Sequence, residues 1–259
     1  MKIIAVSLSM FVTIFFSAGV IAAPSWTHEA QEEWGATEDF SQSTVPFMFP
    51  FAECSIGQRQ SPVDLAGSDF DKKINKLKIK YPVDTPDFFN SGHAIQVNTS
   101  LDYPGYVQIG GERYPLIQFH FHSPSEHVVG SRAFAAELHF VHVRDDGKMA
   151  VLGVLIEEGA ENETLQTILD NIPLTEETHN PDTQIRIHPT KLLPQNKIHS
   201  YTYAGSLTTP PCSEGVNWYV LAEPLIASET QIRQLESFYS DNVRFIQHLN
   251  GRSVNGNIR

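Results

Sequence analysis

Apolar residues recur at every second position through much of this chain, and the polar positions between them are the informative ones. In Leu116-Ile117-Gln118-Phe119-His120-Phe121-His122 the period of two sends Phe119 and Phe121 to one face and Gln118, His120 and His122 to the other. The segment from Ala135 to Val141 repeats the pattern, with Glu137 and His139 sharing a face. Further strands are predicted over Leu77 to Tyr81, Ala94 to Asn98, Tyr106 to Ile109, Ala133 to Arg144, Met149 to Glu157, Lys197 to Tyr203 and Val216 to Ala222. Gly, Pro, Asn and Asp separate them, and Asp145-Asp146-Gly147 reads as a hairpin turn. Two stretches have helical spacing instead. Leu165, Ile168, Leu169 and Ile172 follow i, i+3, i+4, i+7 and stop at Pro173, while Ser228 and Gln231 form a capping box ahead of Ile232 and Leu235. No repeat or linker interrupts the pattern, so one β-rich domain with short helices is expected.

The polar face carries the chemistry. His120 and His122 project together, and a neighbouring antiparallel strand needs only His139 to complete three ligands, leaving a fourth tetrahedral position for water as in catalytic zinc sites. Gln118 lies two residues before His120 and Glu137 two before His139. Each is placed to accept the second ring N–H of its histidine and so to fix tautomer and orientation.

Residues 1–23 read as a secretory signal: Met1-Lys2, an apolar run from Ile3 to Ile21, then small residues, with cleavage after Ala22 or Ala23. The run approaches the length of a membrane span, but its ending favours cleavage and no basic cluster follows. Residues 24–259 then form one domain of about 235 residues, enough for a full core. The chain has 18 basic and 30 acidic residues, a formal net charge of −12, and Lys2 is the only charged residue of the leader. That balance excludes nucleic acid and anionic membrane as expected partners. Cys54 and Cys212 lack the spacing of a redox dithiol or a cysteine zinc site. In an oxidising compartment they are expected to pair, closing a loop worth about 4 to 5 kcal/mol in the chain-entropy model.

From about Cys54 to Arg252 the chain resembles the α-class carbonic anhydrases, particularly exported bacterial members. The motifs are Gln60-Ser61-Pro62-Val63-Asp64, Ser91-Gly92-His93-Ala94, Gln118 to His122, Ser125-Glu126-His127, Glu137-Leu138-His139 and Gly205-Ser206-Leu207-Thr208-Thr209-Pro210-Pro211. The resemblance implies a single domain on a large twisted, mostly antiparallel central sheet with short helices around it, and zinc at the bottom of a conical cavity. It implies reversible hydration of carbon dioxide to bicarbonate and a proton, by attack of zinc-bound hydroxide. In that scheme Thr208 accepts the hydroxide's proton and donates its own to Glu126. Val141, Val151, Leu207, Thr209 and Trp218 line the substrate pocket, His93 shuttles protons to buffer, and the backbone carbonyl of Asn242 supports a ligand histidine. The cysteine pair resembles the disulfide of exported bacterial members, which places the protein in the periplasm or outside the cell, and a homodimer is a modest expectation.

Two departures accompany the resemblance. The family's amino-terminal histidine-tryptophan-glycine-tyrosine signature aligns with Glu33-Trp34-Gly35-Ala36, which leaves out a tyrosine that helps order the proton-relay water. Near the other end Arg244, Gln247, Asn250, Gly251 and Arg252 match, whereas Phe245 and His248 stand where proline is usual. Noncatalytic binding modules of the family lack a ligand histidine, and none is missing here. A dedicated esterase would need a nucleophile elbow, and no Gly-x-Ser-x-Gly occurs.

Overall fold

The structure is a computed structural model that describes residues 24–41, 48–71, 74–182 and 184–258. The expected signal segment, residues 1–23, lies outside the described residues. Twelve strands form one continuous β system: β1 (Asp69–Phe70), β2 (Lys78–Lys80), β3 (Asp87–Asn90), β4 (Ile95–Asn98), β5 (Tyr106–Ile109), β6 (Glu112–His122), β7 (Ala136–Val143), β8 (Met149–Glu158), β9 (Thr178–Asn180), β10 (Ser200–Ser206), β11 (Glu214–Ala227) and β12 (Asn255–Gly256). Their order is β1-β12-β10-β11-β8-β7-β6-β4-β3-β9, and off this path β5 pairs with β6 and β2 with β5. Most pairings are antiparallel. The exceptions are β8 with β11 and β1 with β12, which run parallel.

The alternation read from the sequence becomes two faces. Phe119, Phe121, Leu138, Phe140, Leu152 and Val154 enter a large core closed by two helices, α2 (Glu163–Leu169) and α3 (Glu229–Phe238), which follow the four-residue α1 (Glu53–Ile56) in chain order. The opposite face packs Val151, Leu155, Trp218 and Val220 against Val63 and Leu65, and the histidines stand on this side. Helix α3 starts as the capping box predicts: Ser228 Oγ accepts from Gln231 N–H, and the Gln231 side chain accepts from Ser228 N–H. The Gln231 amide group also accepts from Asn162 N–H and donates to Asn162 C=O, tying the starts of α2 and α3 together. The 145–147 turn joins β7 to β8, with Gly147 at φ 80°.

Several boundaries differ from the sequence reading. Strand β10 starts at Ser200 rather than Lys197, β7 at Ala136 rather than Ala133, and α2 ends at Leu169 before the proline. β6 runs from Glu112, with a register shift between Leu116 and Gln118 that leaves Ile117 47% exposed despite its apolar side chain. Among the described residues Cys54 and Cys212 form a disulfide with Cα atoms 5.0 Å apart, spanning 158 positions. It ties α1 to the loop that follows β10.

Candidate metal centre and its surroundings

Register places the centre. In the β6–β7 ladder His120 lies opposite His139, His122 opposite Glu137 and Gln118 opposite Val141. One strand further, His139 faces Gly153 and Val141 faces Val151. The three imidazoles converge, with ring centroids 5.1 Å apart for His120 and His122, 5.3 Å for His120 and His139, and 4.6 Å for His122 and His139. One potential ligand atom from each lies within 4.8 Å of the others.

The hydrogen bonds settle which atom each ring presents. His120 Nδ1 donates to Gln118 Oε1 at 2.8 Å, and His122 Nδ1 to the Asn242 carbonyl at 2.6 Å, so both turn Nε2 inward. His139 Nε2 donates to Glu137 Oε1 at 3.0 Å and turns Nδ1 inward. Burial holds His120 well below the usual histidine range and lowers His122, with the neighbouring imidazoles adding to the effect at His120. Burial would lower His139 as well, but the Glu137 carboxylate outweighs it and raises the ring.

Glu137 is the hub behind His139. Its carboxylate accepts from His127 N–H at 2.8 Å, His127 Nδ1 at 2.8 Å and His139 Nε2, while Tyr203 Oη bonds His127 Nε2 at 2.7 Å. Burial alone would raise this carboxyl, but His127 and His139 hold it well below the usual range. His127, Glu137 and His139 also meet the distance condition for a metal group. Both oxygens of Glu137, both ring nitrogens of His127 and His139 Nε2 are already engaged in this network, so the opening to a cation is at His139 Nδ1, on the other side of that ring. Gly153 belongs to the design: a Cβ there would stand 2.9 Å from Glu137 Oε1. The sequence motif gives His127 no role of its own, because its partners Glu137 and Tyr203, 10 and 76 positions away, carry no local signal.

The donor set fits a cation. His122 Nε2 is buried and has no hydrogen-bond partner among the described residues. A buried nitrogen left so costs about 1–3 kcal/mol, a penalty that a bound cation removes. Three imidazoles with one open direction suit zinc. Glu126 lies close by, with Oε2 3.6 Å from His122 Nε2 and 3.8 Å from His139 Nδ1. Its Oε1 accepts from Arg244 N–H at 2.9 Å, and Oε2 has no partner among the described residues. Thr208, buried in the bend after β10, is not hydrogen-bonded to Glu126 in this structure. The free oxygen leaves that expected bond one acceptor to use.

Val141, Val151 and Trp218 form a row across β7, β8 and β11, and the Trp218 ring meets His139 edge-on at 4.8 Å. Leu207 packs against the same cluster, and Thr209 is half-buried next to Thr208. Asn242 does more than lend its carbonyl. Its side chain accepts from Ser123 N–H at 2.9 Å and donates to Phe121 O at 3.0 Å and His93 O at 3.1 Å.

His93 sits in the loop between β3 and β4, in a turn made by Ser91 Oγ and by Gly92 at φ 79°. Its ring stacks on Trp26, 3.8 Å between centroids and 13° between planes. Burial lowers its pKa, and Glu176 and Glu177 oppose that. The amino-terminal segment that reaches this point is Trp26–His28, whereas Ala36, at the tyrosine's place in the sequence alignment, is exposed. Trp34 is fully buried, donates to Thr27 O at 2.7 Å and lies under the Arg244 guanidinium.

The profile of eukaryotic-type carbonic anhydrases matches residues 46–258. A carbonic anhydrase of Nostoc sp. is 39% identical over 211 residues, covering 79% of this chain and 78% of that protein. One from Pectobacterium carotovorum is 35% identical over 255 residues, covering 96% and 97%. Among solved structures, the α-carbonic anhydrase of Thermovibrio ammonificans, in complex with the inhibitor sulfanilamide, superposes with a TM-score of 0.81 at 36% identity, covering 90% of this chain and 99% of that one.

Proposed function

The chain belongs to the eukaryotic-type, or α, carbonic anhydrase family and is a carbonate dehydratase, and from that premise we propose a zinc-dependent hydration of carbon dioxide at the His120–His122–His139 centre. The observation that carries the reading is that each of the three rings has one nitrogen committed to a fixed acceptor and the other turned to a shared space. His120 Nε2, His122 Nε2 and His139 Nδ1 would hold the metal. When bound, zinc supplies the Lewis acidity that lets water ionise near neutral pH, and neutral imidazoles leave its charge undiminished.

The chain's own residues do the rest. Thr208, by rotating its hydroxyl toward Glu126 Oε2, would fix the direction of the attacking oxygen's lone pair, a gain in alignment rather than in acidity. Val141, Val151, Leu207 and Trp218, with Thr209 at the rim, offer carbon dioxide an apolar wall beside His139. His93 takes the released proton outward, since it lies on a loop at the surface of a cleft of about 360 Å³ shared with His28, Glu176 and Asn242. The disulfide supports an exported protein working in an oxidising compartment.

The test is stopped-flow hydration of carbon dioxide before zinc removal, after it, and after zinc is restored. The expected result is rapid turnover that disappears and returns with the metal. His93→Ala should slow turnover about tenfold or more in dilute buffer and little in concentrated buffer, where a small base replaces the imidazole. A zinc-replete protein with no hydration above background would refute the catalytic reading.

A further inference from the structure

The small meander β2–β5–β6 turns one face to the core and leaves the other bare. Leu77, Ile79, Val107, Ile109, Tyr114 and Leu116 pack inward, so alternation sends Lys78, Lys80, Tyr106, Gln108, Arg113 and Pro115 outward. In register Lys78, Gln108 and Arg113 form one row across the strands, and Lys80, Tyr106 and Pro115 form the next, about 7 Å along. Lys76, Lys78, Lys80 and Arg113 are exposed, and Arg113 lies over the Tyr106 ring at 4.6 Å. Arg59, Arg144 and Arg233 have carboxylate partners, whereas these four have none among the described residues.

Positive charge is concentrated here. Lys72, Lys73, Lys76, Lys78 and Lys80 fall within nine positions of a chain that carries 18 basic and 30 acidic residues, and no acid occurs between Asp71 and Asp84. Asp84 is itself buried and bonded to Ser100 and Thr85, Glu112 is paired with Arg144, and Asp102 is exposed. At the Lys80 end of the same meander the exposed residues turn apolar. Thr99 N–H donates to Ile117 O at 3.0 Å and Ser100 N–H to Asp84 Oδ2 at 3.1 Å. These bonds draw Leu101, Val83 and Ile117 to one corner, where they are 99%, 40% and 47% exposed. Lysines on an edge strand such as β2 deter strand pairing, but that explains neither Arg113, two strands away, nor a leucine wholly in solvent.

We propose that this face is a docking surface for an anionic lipid bilayer, with the basic rows over the headgroups and Leu101 entering between them. Side chains standing on one side of a sheet reach a planar surface together, and there electrostatic attraction and apolar burial add. A soluble polyanion would use the lysines and leave Leu101 in water. The net charge of −12 belongs to the whole chain, whereas the field at a surface is set by the charges within a Debye length of it, about 8 Å at physiological salt. The expected leader, by routing the chain across a bilayer, supplies the encounter.

The test is co-sedimentation of residues 24–259 with vesicles, one set of phosphatidylcholine alone and one of phosphatidylcholine mixed with phosphatidylglycerol. The protein should bind the mixed vesicles, be released by salt and ignore phosphatidylcholine alone. Lys78→Gln with Lys80→Gln should lower the partition coefficient about 20- to 30-fold, at about fivefold per charge, and Leu101→Ser should lower it about tenfold. Arg59→Gln with Arg233→Gln makes the same change in net charge away from this face and should leave binding unchanged. Circular dichroism should be the same in every variant, since all these positions are exposed.

No binding to the mixed vesicles, equal binding to both kinds, an equal loss in the Arg59 and Arg233 variant, or undiminished binding by Leu101→Ser would each overturn the proposal. Retention on a sulfated polysaccharide without binding to the vesicles would do the same, and would assign the lysines to a soluble polyanion.

Discussion

The proposed metal centre and the proposed proton exit are built by opposite means. His120, His122 and His139 stand on adjacent central strands, and each ring is fixed by a second hydrogen bond to Gln118, Asn242 or Glu137. No ring of the three can turn without breaking one of these hydrogen bonds. His93 and His28 come from a loop and from the amino-terminal segment, and the contacts that hold their rings are faces and edges of Trp26 and Trp34. Ring contacts permit sliding and tilting at little cost, which a proton carrier needs and a ligand must avoid. On the proposed function the difference teaches where substitution is tolerated: the sheet would fix affinity for the cation, while loops would set how quickly the proton departs.

The largest expected effect breaks the metal centre outright. His120→Ala leaves two imidazoles, and hydration should fall by about four orders of magnitude or more because water at neutral pH is no longer ionised. Zinc content after dialysis and stopped-flow rates check it together, with circular dichroism to show that the sheet persists. A variant that retained both zinc and rate would place the metal elsewhere. Glu137→Gln is milder and sharpens the comparison. It weakens the acceptor shared by His127 and His139, so the zinc dissociation constant should rise about 10- to 100-fold, whereas His93→Ala should leave that constant alone. Gly153→Ala should shift affinity in the same direction as Glu137→Gln, because its methyl would press on Glu137 Oε1.

How much of this was legible in the sequence follows the same division. A period of two is a local property, so His-x-His and Glu-x-His placed four residues of the proposed metal centre on one face of their strands before any fold was known. The 145–147 turn and the Ser228–Gln231 cap were equally local. The two-residue strands β1 and β12 are too short to show a period, and β3, Asp87-Phe88-Phe89-Asn90, puts a buried and a half-buried Phe side by side between polar ends. The parallel pairing of β8 with β11 joins segments separated by α2, β9 and β10, and no repeat in either announces it. His28 was invisible for a related reason. Trp26-Thr27-His28 lies just past the expected leader, beyond Pro24-Ser25, and only its packing against the β3–β4 loop gives the histidine its neighbours.

His142 supplies the smallest effect and a control for the whole comparison. It lies on β7 three residues beyond His139, but on the opposite face, where Nδ1 donates to Ala150 O at 3.1 Å and Tyr81 Oη bonds Nε2 at 2.7 Å. It is thus a histidine of the same strand with no nitrogen left for a metal. Burial pushes it down to about 3, with the Ala150 and Phe140 carbonyls opposing. The sign follows from which state holds more protons. Below about pH 6.5 the unfolded chain protonates this ring and the folded one does not, so stability falls as pH drops through 6.5 and keeps falling toward 3. His142→Gln retains a donor and an acceptor and does not titrate. Urea unfolding of the metal-free protein at pH 7 and pH 5 should therefore show a wild-type loss about 2 kcal/mol greater than the variant's, with zinc affinity at pH 7 the same in both. Equal losses would mean that His142 is already charged in the folded sheet, and the depressed pKa assigned to burial would be wrong.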